Sequence, residues 1–231
     1  RGGTVDPALN FAKWNNPFHF SNILTDSLAL HSSFTRRDLP PVTPVKENPM
    51  SRIPTPAAIA AAPEASRPLL EAVNKQLGVV PNMFRLISNS PAALEGYLGL
   101  NGALAKGALP AATRERIALA VAQINDCGYC LAAHTYLGSN LAKLDAAEIA
   151  ANRHGSSNDA KAAVAVSFAA KIARQRGAVD AADVEAVRAA GYSDAAIVEI
   201  VAHVAVNTLT NYINEVLGTA IDFPEVEALA A

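Results

Sequence analysis

From residue 64 onward the apolar and polar positions follow a helical rhythm, and no segment alternates with period two for long enough to make a strand. Glu64 to Gln76 is amphipathic and stops at Gly78, a residue suited to the left-handed end of a helix. PNMFRLISNSP reads as a turn. Ser90 then caps a helix running to about Lys106, with Pro91 at its first position, where a missing N–H costs nothing. Ala111 to Ile124 sets Ile117, Val121 and Ile124 on one face. Asp126 is the expected cap of a helix from near Cys127 to about Ser139, and a short helix follows from Asp145 to Asn152. Ala160 to Gln175 is helical up to Gly177. Asp180 to Ala190 opens on a capping-box-like D-A-A-D and closes at Gly191. Ser193 caps a long last helix that ends before Gly218. The pattern predicts an all-α helical bundle.

Residues 113–138 can also be laid over 193–218 without gaps, matching Ile117, Val121, Ala122, Leu137 and Gly138 to Ile197, Val201, Ala202, Leu217 and Gly218. In an alanine-rich chain this fits a degenerate internal repeat and two similar amphipathic helices equally well. Under the repeat, Cys127, Cys130 and His134 fall on Asn207, Thr210 and Asn214, so only one copy would carry reactive groups. Residues 1–49 differ in kind: six prolines, scattered aromatics, no helical period, and PPVTPVKENP as an extended linker. We expect Met50 to be the natural start, with residues 1–49 a leader, fusion remnant or upstream extension and 50–231 one domain. The competing expectation is an arm that wraps a neighbouring subunit.

Composition narrows the function classes. Hydrophobic residues make up 51% of the chain and aromatics only 6%, a mix suited to closely packed helices. The formal charge is −2 with no basic cluster, which argues against nucleic acid. The longest apolar run, Ala195 to Val206, contains Glu199 and His203 and is too short to span a bilayer, so no membrane association is expected. No secretory apolar region appears, and Arg36-Arg37 leads into DLPPVTPVKENP rather than an apolar segment. A cytoplasmic setting is expected. There a Cys-x-x-Cys is more often catalytic or metal-binding than a structural disulfide.

The candidate chemistry lies in ERIALAVAQINDCGYCLAAH. On a helix, Cys127, Cys130 and His134 occupy positions 0, +3 and +7 of one face. A helix N-terminus favours thiolate over thiol, and His134, one turn beyond Cys130, can take the thiol proton. Gly128 is expected to keep the approach to the first cysteine open. A redox dithiol, a metal site and two inert core thiols all remain open. Zinc would need a fourth ligand. Glu115, between Arg114 and Arg116, reads on spacing alone as a solvated charge, although a break near Asp126 would fold it back beside the thiol face. His203 reads as a buried structural histidine. Asn207, Asn211 and Asn214 read as polar groups bonding across a helix or subunit interface. His19, His31 and His154 are unassigned.

Glu115, eleven residues, Cys127-x-x-Cys130, three residues and His134 resemble the signature of the alkylhydroperoxidase D-like branch of the carboxymuconolactone decarboxylase family. SRIPTP, LGVVPNMFRLISNSP and GYSDAAIVEIVAHVAVNTLTNYIN resemble its peroxidase-related members, and the likeness runs from about Met50 to Glu225. The resemblance implies an alkylhydroperoxidase D-like all-α fold in a homo-oligomer, a trimer or hexamer. It implies hydroperoxide reduction in which Cys130 attacks, Cys127 resolves, and His134 and Glu115 relay protons. It further implies no bound cofactor or metal, and an external dithiol reductant such as a protein-bound lipoyl group. Decarboxylase members generally lack the cysteine pair, which argues against a lyase. Tyr129 stands where well-known members carry a second histidine, and a tyrosine is no base near neutral pH.

Overall fold

The computed structural model describes residues 51–226, which form nine α-helices and no strands among those residues. They are α1 Arg67–Leu77, α2 Asn82–Ile87, α3 Pro91–Leu104, α4 Ala111–Ile124, α5 Gly128–Asn140, α6 Ala146–Arg153, α7 Ala160–Gln175, α8 Ala181–Ala189 and α9 Asp194–Leu217. The expectations for residues 1–49 lie outside the described residues.

Side-chain caps account for most boundaries, and Ser90, Asp180 and Ser193 are among those expected. Ser90, Asp145, Asp159 and Ser193 each accept an N–H from the first turn of the following helix. The Asp183 carboxylate accepts the Asp180 N–H at 2.8 Å, the return half of a capping box. Gly78 and Gly218 take left-handed φ values of 76° and 64° at the ends of α1 and α9. One segment departs from expectation. Within PNMFRLISNSP, Asn82–Ile87 is helical, and Met83, Leu86 and Ile87 are buried. Prolines at both ends masked a segment only two turns long.

Helix α4 is the hub. It packs on α5, α6, α7 and α9, so Ile117 through Ala122 are all buried rather than a single stripe. Ile124, assigned to the same face, is only half-buried. Each fully buried Ile, Leu or Val here contributes about 1.5–3 kcal/mol. One core joins α4, α7, α8 and α9 through Ile117, Val121, Phe168, Val187 and Ile200. A second joins α2, α3 and α5, with Met83, Ile87 and Leu94 packed around Cys127, Tyr129 and Cys130. The two thiols therefore sit inside a core. The residues before α1 close the far end: the Arg52 N–H donates to Leu217 O at 2.8 Å, and its guanidinium donates to Val216 O at 2.6 Å.

Helix α9 is longer than the apolar run that the sequence displays. An 18-residue stretch of this 24-residue helix reaches a mean hydropathy of 1.3, so length and composition alone would let it cross a membrane. Half of that stretch is buried against α4 and α7, as in a core helix of a folded domain. Its outer face carries Val198, Val201, Leu209, Tyr212 and Val216, all exposed. The repeat finds a structural difference too. Residues 193–218 hold one unbroken helix, whereas 113–138 are split between α4 and α5 at residues 125–127.

Candidate active site

The break between α4 and α5 builds the site. Asn125 ends α4, and Asp126 takes a left-handed φ of 53°, a conformation an aspartate tolerates better than most residues. The chain then turns back, with the Cys127 N–H donating to Ala122 O at 3.0 Å. Asp126 is thus the turn and not the cap. Cys127 itself caps α5, its Sγ accepting the Cys130 N–H at 3.4 Å. Gly128 does not open a path to Cys127. That thiol is 0% exposed, and a Cβ at 128 would meet Ile221 at an ordinary 3.7 Å.

Cys130 is 2% exposed and lies in the wall of a cavity of about 290 Å³. Its sulfur accepts a hydrogen bond from Asn214 Nδ2 at 3.2 Å. The cysteine pair is electrostatically unequal. A hydrogen bond from the Cys127 thiol holds the Cys130 thiol down at about 6 against the cost of burial, helped by His134, Asn214 and Asn211. The same bond, with burial, pushes the Cys127 thiol far up, so it stays protonated. Cys130 is the thiolate of the pair, and Cys127 is its donor.

The hairpin of α4 and α5 brings Glu115 to His134. Glu115 Oε2 and His134 Nδ1 pair at 2.8 Å, with side chains 23% and 21% exposed. Burial of the ring opposes its charge, but the Glu115 carboxylate and then Cys130 overcome it, so His134 is raised. The flanking arginines point elsewhere. Arg116 pairs with Glu148 at 2.6 Å, and Arg114 donates to Ala105 O and Leu109 O. Reading Glu115 as a solvated charge on spacing alone is therefore wrong. Two flanking charges hid a residue whose partner lies across the hairpin on α5.

The four residues singled out from sequence are thus brought together. Asn214 and Asn211 belong to the site as well. Asn211 Oδ1 accepts from Asn125 Nδ2 at 2.8 Å, bonding across helices at the break. The sign available in sequence was their spacing as a polar stripe within an apolar helix. Asn207 instead donates within α9, to His203 O. Tyr129 is buried, donates its hydroxyl to Asp222 Oδ1 at 2.8 Å and accepts the Met83 N–H at 3.2 Å. Burial and then Asp222 hold it well above its ordinary range, so it fastens the C-terminal tail and offers no base. Tyr97, on α3, faces the same cavity; burial, then Cys130 and Glu115, keep its phenol protonated. Among the described residues, no cluster of three or more His, Cys, Asp or Glu is arranged to hold a metal ion.

Comparison with known proteins agrees with this architecture. The carboxymuconolactone decarboxylase family model matches residues 91–174, which include Glu115, Cys127, Cys130 and His134. A peroxidase-related protein from Silicibacter sp. TM1040 is 26% identical, with a TM-score of 0.66 over 78% of this chain and 95% of its own. An alkylhydroperoxidase AhpD core protein, also peroxidase-related, from Ralstonia eutropha JMP134 is 29% identical, with a TM-score of 0.67 over 75% of this chain and 93% of its own. The debrominase Bmp8, in a variant bound to 2,3,4-tribromopyrrole, shares the fold at 20% identity and a TM-score of 0.61, over 72% of this chain and 90% of its own. No curated protein sequence matches significantly. With its helical hairpin and these neighbours, the chain has an alkylhydroperoxidase D-like fold, and its residues 91–174 match the carboxymuconolactone decarboxylase family model.

Proposed function

We propose that this chain is a thiol-dependent peroxidase that reduces hydroperoxides through a Cys127–Cys130 dithiol cycle, with His134 and Glu115 as its proton relay. The observation that carries this reading is the Cys130 sulfur in the cavity wall, hydrogen-bonded by Asn214 and held as thiolate at about 6. The thiolate attacks the terminal oxygen of R–O–O–H. The S–O bond forms, the O–O bond breaks, and the departing alkoxide takes a proton from the His134 imidazolium, which Glu115 stabilises. Cys127, already donating to Cys130, then attacks the sulfenic acid. The S–S bond forms, and the hydroxyl leaves with the Cys127 proton as water. An external dithiol, such as a protein-bound lipoyl group, restores both thiols by two exchange steps and is itself oxidised to a disulfide. The scheme uses no bound cofactor. The exposed apolar stripe of α9 supports assembly as a homo-oligomer, a trimer or hexamer, through that helix.

The test is peroxide consumption with lipoamide or dithiothreitol as reductant, beside a Cys130→Ser control. The wild-type chain consumes peroxide and the variant does not. Equal rates in the two would sink the proposal. One observation favours a second reading: the Tyr129 hydroxyl is spent on Asp222 and Met83, so the relay has no second base. On that reading the chain is a redox-sensing oligomer. It forms a reversible Cys127–Cys130 disulfide with negligible steady-state turnover.

A further inference from the structure

His203 was expected to be a buried structural histidine. It is 4% exposed, but its Nε2 has no hydrogen-bond partner, and the residue lines the cavity that holds Cys130. A buried ring nitrogen left unpaired costs about 1–3 kcal/mol, so such groups normally have a partner. On the cavity stripe of α9, the other polar side chains spend their donors locally: Asn207 on His203 O, and Thr210 on Asn207 O. Only His203 has no such outlet. Its position along the helix matters as well. Asn214, at the Cys130 sulfur, lies eleven residues further on, about 16 Å along the axis at 1.5 Å per residue. The cavity lining is more apolar than polar, with Leu98, Ala118, Leu137 and Val206 beside Tyr97, Glu115 and Thr210.

We infer that the cavity is a two-ended binding site, in which the substrate reacts at Cys130 while a neutral hydrogen-bonding group at its other end, a hydroxyl or carbonyl, is held by His203. This deepens the peroxidase reading by naming a substrate class for the same site: elongated hydroperoxides with a second, uncharged polar end. The far end is not built for an anion. Nη1 of Arg114 donates to Ala105 O and Leu109 O, and the carboxylates of Glu115 and Glu199 offset the charge of its guanidinium. Burial and then Arg114 push His203 down to about 4, so near neutral pH it is an uncharged donor and acceptor.

The test measures binding without turnover. Iodoacetamide alkylates Cys130, followed by mass spectrometry, in the presence of octanol, a terminal octanediol with a hydroxyl at each end, or octanoate. We expect the diol to protect about tenfold better than octanol, the factor one well-made hydrogen bond can supply. His203→Leu abolishes that preference, and His203→Asn, which keeps a neutral donor and acceptor, restores part of it. Each variant is compared with its own unprotected rate, so a general loss of stability cancels. Equal protection by octanol and the diol, no protection by either, a diol preference that survives His203→Leu, or octanoate binding best would each overturn the inference. The wild-type comparison stands even if a variant fails to fold. Because alcohols are not reduced, a failed peroxide assay and a failed protection assay are separate results.

Discussion

Asn214→Ala is the sharpest probe of how the fold makes a thiolate. Asn214 Nδ2 donates to Cys130 Sγ at 3.2 Å inside a buried site. A hydrogen bond to a charged acceptor contributes about 1.5–3 kcal/mol, or about 1–2 pKa units at 1.36 kcal/mol each. Starting from about 6, the Cys130 midpoint should rise to about 7–8 in the variant. At pH 7 the thiolate fraction then falls from about nine-tenths to between about a half and a tenth. Alkylation of Cys130 by iodoacetamide should slow by about two- to tenfold at pH 7 and converge with wild type above pH 9. The fold should tolerate the change, because Asn214 Oδ1 is itself a buried acceptor without a partner. The assay is the alkylation rate against pH, followed peptide by peptide. A midpoint that does not move in a variant melting like wild type would refute the argument. The thiolate would then owe its stability to Cys127, His134 and Asn211.

Glu115→Gln removes the charge that raises His134, so the ring's titration midpoint, followed by NMR, should fall. Peroxide turnover at pH 7 should drop about tenfold or more, as expected for a weakened general acid; an unmoved His134 midpoint counts against the relay. Glu148 is a stability probe away from the sulfur. Despite its burial it is held at about 2 by Ser157, Asn152, the Asn158 N–H and Arg116. Its folded pKa lies below its unfolded value of 4.5, so its contribution is present above that value and lost as pH falls towards about 2. Glu148→Gln should cost about 3 kcal/mol in urea unfolding at pH 7, and the gap to wild type should close between about pH 5 and pH 2. A gap that does not change with pH would assign the effect to packing.

Most helix boundaries were legible because caps are local chemistry: Ser90, Asp145, Asp180 and Ser193 each signal within four residues of the helix they start. The break at Asp126 was legible as a position but not as a conformation. An Asp before an apolar run reads as a cap, and only the three-dimensional turn shows the sulfur of Cys127 taking that place. The Cys127, Cys130 and His134 register follows from helical spacing. Glu115 does not, because its partner is nineteen residues away and its orientation depends on where α5 folds back. Asn214 and His203 were harder still. Both sit in an apolar helix where a polar residue reads as a satisfied core group. Their difference appears only in what lies opposite: a sulfur for Asn214, and an open cavity for the unpaired nitrogen of His203.

The unequal thiols also set the redox poise. Between about pH 6 and the ionisation of Cys127, which lies above the ordinary thiol range, the reduced pair holds one proton instead of two. Its potential should therefore fall by about 59 mV per pH unit below pH 6 but only about 30 mV above it. At pH 7 the thiolate stabilises the dithiol by about 1.4 kcal/mol over a pair with ordinary midpoints, making the couple about 30 mV more oxidising. A disulfide that is easier to reduce suits turnover by an external dithiol. The measurement is equilibration in dithiothreitol buffers from pH 5 to 8, with acid quench and counting of alkylated thiols. An unbroken slope of about 59 mV to pH 8 would mean that Cys130 is a thiol at neutral pH. The slope also ties back to Asn214, since Asn214→Ala should carry the break upward to about pH 7–8 with the alkylation midpoint. If only one of the two moved, a single titrating sulfur could not account for both.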